Sequence, residues 1–189
     1  MRIVLLRHGK PDVPELGRLR VSELRHWIKS YNSAGLKRSQ RPSEKAVEIA
    51  AGCNAVVCSD LPRSIESAEM LGVEVVDFEA SIFREMELPS ANWPSPKLPP
   101  EIWAVFFRVL WFLGYSSKTE SHREARLRAL SGASRLEAIA EKQGSVILIG
   151  HGFLNRSIAK ALLKSGWIGP HDPGNNYWGF GVYERRTAA

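Results

Sequence analysis

Short apolar runs recur along the chain, and segments with a helical spacing of apolar positions separate them. Val73–Phe78 alternates between apolar and polar residues, whereas Ser145–Ile149 is dominated by apolar residues, as is typical of a strand buried on both faces. Turn-forming residues flank the runs. The pattern predicts five strands, at Arg2–Leu6, Ala55–Ser59, Val73–Phe78, Ser145–Ile149 and Tyr177–Glu184.

The intervening segments predict helices. The clearest one follows Ser121, because Ser121 to Glu124 matches a capping box and Gly144 ends the periodic region. Its apolar stripe is expected to comprise Leu127, Leu130, Ala133, Leu136, Ile139 and Ala140. Further helices are predicted near Val21–Tyr31, after the cap Ser43 to Gly52, from Asp60 and Pro62 to Gly72, at about Glu101–Gly114 and at Phe153–Leu163.

Alternation of strands and helices predicts an α/β fold with three layers, in which a mostly parallel sheet carries helices on both faces. A chain of 189 residues suits one domain, and we expect residues 1–189 to form it. Two proline-containing segments interrupt the alternation, at about 11–42 and 89–117. These segments are predicted to be insertions that form a cap or lid, where substrate specificity commonly resides.

Net charge and cysteine content indicate which binding partners and which cellular compartment to expect. The 26 Lys and Arg against 20 Asp and Glu give a net charge of +6, which suits an anionic partner. No nucleic-acid module is recognisable, so nucleic acid is not expected. Cys53 and Cys58 lack the C-x-x-C spacing and favour a reducing, cytoplasmic compartment. The apolar run Ile102–Leu113 contains Arg108 and is too short for a membrane span, so no membrane partner is expected.

Candidate chemistry gathers where the predicted strands end. Ligands of open α/β sheets bind at the carboxyl ends of the strands. The first strand is followed by Arg7 and His8, the second leads to Arg63, the region after the third holds Glu85, and the strand before Gly150 leads to His151. The sequence therefore predicts that two histidines, two arginines and a carboxylate meet at one edge of the sheet.

This set of residues suits a tetrahedral dianion. Arginines match phosphate oxygens with paired donors and keep their charge. A neutral histidine can attack phosphorus, and a carboxylic acid can protonate the leaving alcohol. The sequence lacks H-E-x-x-H and any Cys/His cluster at ligand spacing, so neither a metal nor another cofactor is expected. The expected ligand is a small phosphorylated substrate.

Five blocks in the same order resemble the histidine phosphatase superfamily, whose fold is phosphoglycerate-mutase-like. They are Arg7-His8-Gly9, Ser59-Asp60-Leu61-Pro62-Arg63-Ser64 with Glu66-Ser67-Ala68, Phe83-Arg84-Glu85-Met86, Thr119-Glu120-Ser121 through Arg128, and Gly150-His151-Gly152 with Arg156. Any one block alone is a weak signal, but five in order are strong. The short chain is most similar to the small phosphatases of this superfamily.

The resemblance implies a metal-independent phosphatase of the histidine acid phosphatase type, a phosphoric monoester hydrolase. His8 would carry the phosphoryl group, Arg7, Arg63 and His151 would bind phosphate, and Glu85 would donate the proton. Glu87 has the same chemistry two residues on, so the choice between Glu85 and Glu87 stays open. This sequence departs from the family pattern at three places. It has Lys10 where relatives commonly carry other residues, and Gly150 where they commonly carry a hydroxyl residue. Leu88-Pro89-Ser90 stands in place of their W-E-G.

Three other functions remain open. A phosphomutase of the phosphoglycerate type would return the phosphoryl group to a second hydroxyl, although this chain lacks the longer insertion of typical mutases. A phosphoprotein or phosphohistidine phosphatase would act on a macromolecule. A non-catalytic binding protein for phosphorylated ligands would be favoured if Glu85 did not face the pocket. The sequence leaves the physiological substrate, the role of Lys10 and the oligomeric state open.

Overall fold

A five-stranded sheet forms the centre of the protein in a computed structural model, which describes residues 1–13 and 17–186. Residues 14–16, within the first predicted insertion, and 187–189 lie outside the described residues. The strands are β1 (Arg2–Arg7), β2 (Ala55–Cys58), β3 (Phe78–Glu79), β4 (Ser145–Gly150) and β5 (Phe180–Glu184). Their order is β3-β2-β4-β1-β5, and β5 alone of these five runs antiparallel to its neighbour.

Six helices accompany the sheet within residues 1–13 and 17–186. They are α1 (Val21–Ser33), α2 (Glu44–Ala51), α3 (Pro62–Met70), α4 (Pro100–Phe112), α5 (His122–Gln143) and α6 (Gly152–Lys164). A 3₁₀ turn, Ser81–Phe83, follows β3. No helix in the described part of the chain is both long and apolar enough to cross a membrane.

Burial of both sheet faces explains the apolar strands. In β1, Ile3 packs into a cluster on the face covered by α5 and α6, whereas the next residue, Val4, packs into a second cluster with α2 and α3. Every residue of β4 is buried. This alternation between two covered faces confirms the predicted α/β fold with three layers and a mostly parallel sheet.

The two predicted insertions pack against each other. Leu19 pairs with Leu98 through two backbone hydrogen bonds of 2.9 and 3.0 Å, and Val21 of α1 lies in a small apolar cluster with Trp103 and Phe107 of α4. The Trp103 indole N–H donates to the Leu19 carbonyl at 2.8 Å. Both segments therefore share a core of their own beside the sheet.

Three local predictions are wrong. Val73–Phe78 does not form a strand, because only Phe78–Glu79 pairs with β2 and Val75 is 70% exposed. Helix α3 begins after Leu61, since the Asp60 carboxylate binds the Arg84 guanidinium through two contacts of 2.6 Å instead of capping the helix.

The predicted apolar stripe of α5 is also wrong in its first half. Leu127 and Leu130 are exposed, and small residues such as Ala125, Ala129 and Gly132 form the buried face instead. A Cβ atom on Gly132 would lie only 3.3 Å from the Phe83 ring. Small side chains therefore let this part of α5 approach the core closely.

Candidate active site

Two adjacent strand ends bring the predicted histidines together. β1 and β4 are parallel neighbours, with Arg7 paired with Gly150, so the residues that follow them emerge side by side. His8 and His151 are both buried, and their ring centroids lie 4.8 Å apart. The geometry thus places the two histidines in contact at the carboxyl edge of the sheet.

Hydrogen bonds define which nitrogen of His8 is free of a proton. Nδ1 lies 2.6 Å from the Gly9 carbonyl oxygen, which can only accept, so Nδ1 donates. The Arg63 Nε–H donates to Nε2 at 3.2 Å, so Nε2 presents its lone pair. Burial, followed by the positive charge of Arg63, lowers the pKa of His8 to about 3. His8 is therefore neutral at physiological pH, and its Nε2 carries the lone pair.

His151 is held by a residue that the sequence analysis did not single out. The Ser59 hydroxyl, directly after β2, lies 2.7 Å from His151 Nε2. The other ring nitrogen, Nδ1, is buried without a hydrogen-bond partner among the described residues. Burial, followed by the neighbouring His8, lowers the pKa of His151 well below its usual value. A phosphate dianion bound beside the ring would raise the pKa of His151 again, because its negative charge favours the protonated imidazole.

Arg63 is a buried cation without a carboxylate partner. Its guanidinium is held by His8 Nε2, by the Tyr31 carbonyl at 3.3 Å and by Asn32 Oδ1 at 3.4 Å, and it lies 5.0 Å from the Tyr31 ring centroid. Burial lowers the pKa of Arg63. No described carboxylate forms an ion pair with it. Such a cation favours an anion as its ligand.

Arg7 is the second guanidinium near the histidines. Its guanidinium donates to the Asn175 carbonyl and lies 4.5 Å from the Tyr177 ring centroid. Like Arg63, it forms no ion pair within the described chain. Tyr177 is itself 5.8 Å from the His8 ring. Tyr177 was predicted only as part of a strand, and β5 in fact begins at Phe180, so the sequence pattern gave no signal for this contact.

The carboxylate of Glu85 lies at the N-terminus of α6. Oε1 accepts from the backbone N–H groups of Met86 and Leu154, at 2.9 and 3.0 Å, and Oε2 accepts from Phe153 N–H at 3.2 Å. A Cβ atom on Gly152 would lie 3.8 Å from Glu85 Oε2 and 3.7 Å from the Arg7 guanidinium. The structure therefore places Glu85 beside Arg7 and the His151 segment.

Glu87 has different surroundings. Its carboxylate accepts from the Thr119 hydroxyl at 2.7 Å, and its backbone N–H points to Glu120 at 3.4 Å. Glu120 in turn binds Arg128, whose Nε donates to it at 2.9 Å. Glu87 thus belongs to the loop contacts before α5, and the geometry distinguishes it from Glu85.

Two departures from the family pattern have structural counterparts. Lys10 is exposed, and its carbonyl accepts from the Lys37 backbone N–H at 2.8 Å. At Gly150, a Cβ atom would lie 2.5 Å from Oδ1 of Asn155, whose amide donates to the Leu6 carbonyl at 3.0 Å. The asparagine side chain therefore occupies the space in which relatives carry a hydroxyl residue.

An open cleft of about 470 Å³ adjoins these residues. It is lined by Arg7, Gln40, Arg41, Asn175, Asn176, Tyr177 and Trp178. A cleft of about 520 Å³ lies at the opposite edge of the sheet, among residues such as Met1 and Ser145, and contains none of the predicted site residues. We assign the chemistry to the first cleft because it alone of the two adjoins a predicted site residue.

The donor set fits an anion and does not resemble a metal centre. Among the described residues, no group of three or more His, Cys, Asp and Glu side chains could hold a metal ion. Two guanidinium groups, two neutral imidazoles and one carboxylate instead surround a space at the N-terminus of α6, where the helix dipole also favours negative charge. This arrangement can bind a tetrahedral dianion and present a nitrogen nucleophile to it.

Three solved structures share the fold. A functionally characterised open reading frame product of Mycobacterium tuberculosis matches with a TM-score of 0.65 and 18% identity, over 96% of this chain and 89% of that one. A mycobacterial glucosyl-3-phosphoglycerate phosphatase matches with a TM-score of 0.60 and 22% identity, over 96% of this chain and 91% of that one. Phosphoserine phosphatase of Entamoeba histolytica matches with a TM-score of 0.58 and 14% identity, over 98% of this chain and 91% of that one.

Family membership rests on a sequence model as well as on the fold. No curated protein sequence matches the chain. The family model described as histidine phosphatase superfamily (branch 1), however, matches residues 3–174 of the 189. The match includes all five blocks, with His8 and His151. The chain therefore belongs to the histidine phosphatase superfamily.

Proposed function

We propose that this protein is a metal-independent phosphatase that hydrolyses small phosphate monoesters through a phosphohistidine on His8. The observation that carries the proposal is the pairing of a neutral, buried His8 with two guanidinium groups, Arg7 and Arg63, that have no carboxylate partner in the described chain. An anion with two negative charges compensates both cations at once. Two of the similar structures are phosphatases by name, which supports hydrolysis.

The first chemical step transfers the phosphoryl group to the enzyme. His8 Nε2 attacks phosphorus with its lone pair, and the bond from phosphorus to the ester oxygen breaks. Arg7, Arg63 and His151 hold the remaining oxygens, whose charge spreads in the transition state. Glu85, acting as general acid through Oε2, gives a proton to the departing oxygen, so that a neutral alcohol leaves.

The second step returns the enzyme to its starting state. The Glu85 carboxylate takes a proton from a water molecule as that water attacks the phosphohistidine, and the nitrogen–phosphorus bond breaks. Inorganic phosphate leaves, with Glu85 protonated again and the lone pair restored to His8. Because Oε2 makes one long contact of 3.2 Å while Oε1 accepts two hydrogen bonds, Oε2 is the oxygen that is better placed to exchange a proton with substrate and water.

The position of Glu85 supports turnover over binding alone. A binding protein would be favoured if this carboxylate faced away from the pocket, but Oε2 lies beside Gly152 and Arg7. A general acid at this place has a use only when a bond to a leaving group breaks. Hydrolysis is therefore the function that the site supports best.

Substitution of the nucleophile tests the proposal. The His8→Ala variant should lose turnover of phosphate monoesters to the uncatalysed background while unfolding at a similar denaturant concentration. The wild type, mixed rapidly with substrate and quenched in alkali, should show a phosphoryl label that acid removes, and the variant should not. His171→Ala, which removes an exposed histidine, is the matched control. Normal turnover in His8→Ala would contradict the phosphohistidine mechanism.

A further inference from the structure

Helix α4 carries a buried positive charge that the proposed chemistry does not use. Arg108 is 9% exposed, whereas Val105 and Val109 on the same helix are 66% and 52% exposed, so the arginine is on the inner face. Burial lowers the pKa of Arg108. It forms no ion pair with a described carboxylate. Burying a guanidinium without a counter-charge is costly, so its contacts should reveal what it does.

The contacts of Arg108 converge on the neighbours of Glu85. Nη2 donates to the Met86 carbonyl at 2.8 Å, and Nη1 donates to the Glu87 carbonyl at 3.4 Å. The guanidinium also lies 4.3 Å from the ring centroid of Phe153. The backbone N–H of Phe153 is one of the three that hold the Glu85 carboxylate. Arg108 therefore touches both the segment that carries Glu85 and the residue that binds its Oε2.

A second arginine holds the same segment from the other side. Arg128 of α5 donates at 2.8 Å to the carbonyls of Ile82 and Arg84, and at 3.4 Å to that of Glu85. Residues 85–90 belong to no helix or strand, so their carbonyls lack the hydrogen bonds of regular structure. The backbone on both sides of Glu85 is thus fixed largely by arginine side chains.

We infer that Arg108 is a positioning residue for the proton donor, through which the α4 insertion sets the orientation of Glu85. The inference rests on the proposed function, since it requires Glu85 to be the general acid. Without Arg108, the carbonyls of Met86 and Glu87 lose their donors and the Phe153 ring loses its neighbour. The carboxylate then samples orientations in which its proton does not reach the leaving oxygen.

Leaving-group dependence tests this role. A poor leaving group such as an alkoxide needs the proton, whereas an activated aryl oxide departs without it. We expect Arg108→Gln to lower kcat/KM for an alkyl phosphate, which reports phosphoryl transfer to His8, on the order of 10- to 100-fold, as misplacement of a catalytic group by about 1 Å can do. The same variant should lose less than about threefold in kcat/KM on p-nitrophenyl phosphate, because kcat/KM does not include hydrolysis of the phosphohistidine. Arg108→Lys should recover part of the lost activity.

Phe107→Leu provides a matched control. Phe107 is the adjacent, fully buried residue of α4 and packs against α1, so its truncation loosens the same helix without removing a hydrogen bond to the Glu85 segment. We expect this variant to unfold more easily and to affect alkyl and aryl substrates equally. Thermal unfolding of each variant shows whether the two α4 substitutions destabilise the protein to a similar extent.

Glu85→Gln distinguishes the general-acid role of Glu85 from the positioning role of Arg108. If Glu85→Gln reduces kcat/KM equally for the alkyl and the aryl phosphate, the proposed role of Glu85 as general acid fails. If Glu85→Gln is selective for the alkyl substrate but Arg108→Gln is not, the positioning role alone is overturned. In the double variant, the loss on the alkyl phosphate should be close to that of Glu85→Gln, because Arg108 acts through Glu85. A fully additive loss would also contradict the inference.

Discussion

Protonation of the two buried histidines should make this protein lose stability in mild acid. A histidine in the unfolded chain has a pKa near 6.5, whereas burial and Arg63 lower that of His8 to about 3 in the folded protein. The unfolded state therefore binds more protons below pH 6.5, so the stabilisation present above that pH is lost as the pH falls toward the folded pKa. His151 acts in the same direction.

The size of the effect follows from these shifts. Each pH unit below 6.5 lowers the free energy of unfolding by about 1.4 kcal/mol per histidine while the folded ring stays neutral. Between pH 7.5 and pH 5.0, His8 therefore contributes a loss of about 2 kcal/mol, and His151 adds to this loss in the same direction. That is a large part of the stability of a typical domain.

Urea unfolding followed by tryptophan fluorescence measures the loss. The chain has six tryptophans, which makes the transition easy to follow. The free energy of unfolding of the wild type should fall by at least about 2 kcal/mol more between pH 7.5 and pH 5.0 than that of His8→Asn/His151→Asn. Comparing the pH differences removes the contribution of carboxylates. His171→Asn, at an exposed position, should behave like the wild type, and an equal fall in the double variant would refute the reasoning.

The other expectations concern the cleft and its neighbours. Activity on phosphate monoesters should survive a chelator, and vanadate should inhibit at lower concentration than phosphate, because it imitates the five-coordinate transition state; loss of activity that a divalent metal restores would argue against the site. Glu87→Ala should retain turnover within about threefold on alkyl and aryl phosphates, since its carboxylate binds Thr119 outside the pocket. Gly9→Ala should lower the free energy of unfolding by about 1–3 kcal/mol, because its Cβ would overlap the indole of Trp178, and denaturant titration checks this.

Sequence patterns predicted the parts of the fold that depend on spacing along the chain. The capping box at Ser121 and the cap at Ser43 are present, because their hydrogen bonds join residues only three positions apart. The positions of His8 and His151 follow from strand order and parallel pairing. Local rules of this kind depend on few other residues, so they can be recognised without a structure.

Partners distant in sequence decided the remaining features. Asp60 is a good helix cap by type, but a bidentate contact with Arg84 takes its carboxylate. Leu127 and Leu130 fit an apolar stripe, yet the close approach of α5 to the core requires small residues, so the leucines lie outside. The contact of Ser59 with His151 spans 92 positions, and no pattern of apolar residues reports such a contact.

The fit between Asn155 and Gly150 makes the order of evolutionary change matter. A serine at position 150 would collide with the asparagine amide, because even its Cβ would lie 2.5 Å from Oδ1. Removing the amide first takes away the side-chain donor to the Leu6 carbonyl and leaves space beside β4 unfilled. Each single change is thus unfavourable, whereas the pair is compatible. This epistasis separates the chain from relatives that carry a hydroxyl residue at that position, so substitution of one residue at a time toward their pattern should reduce fitness before restoring it.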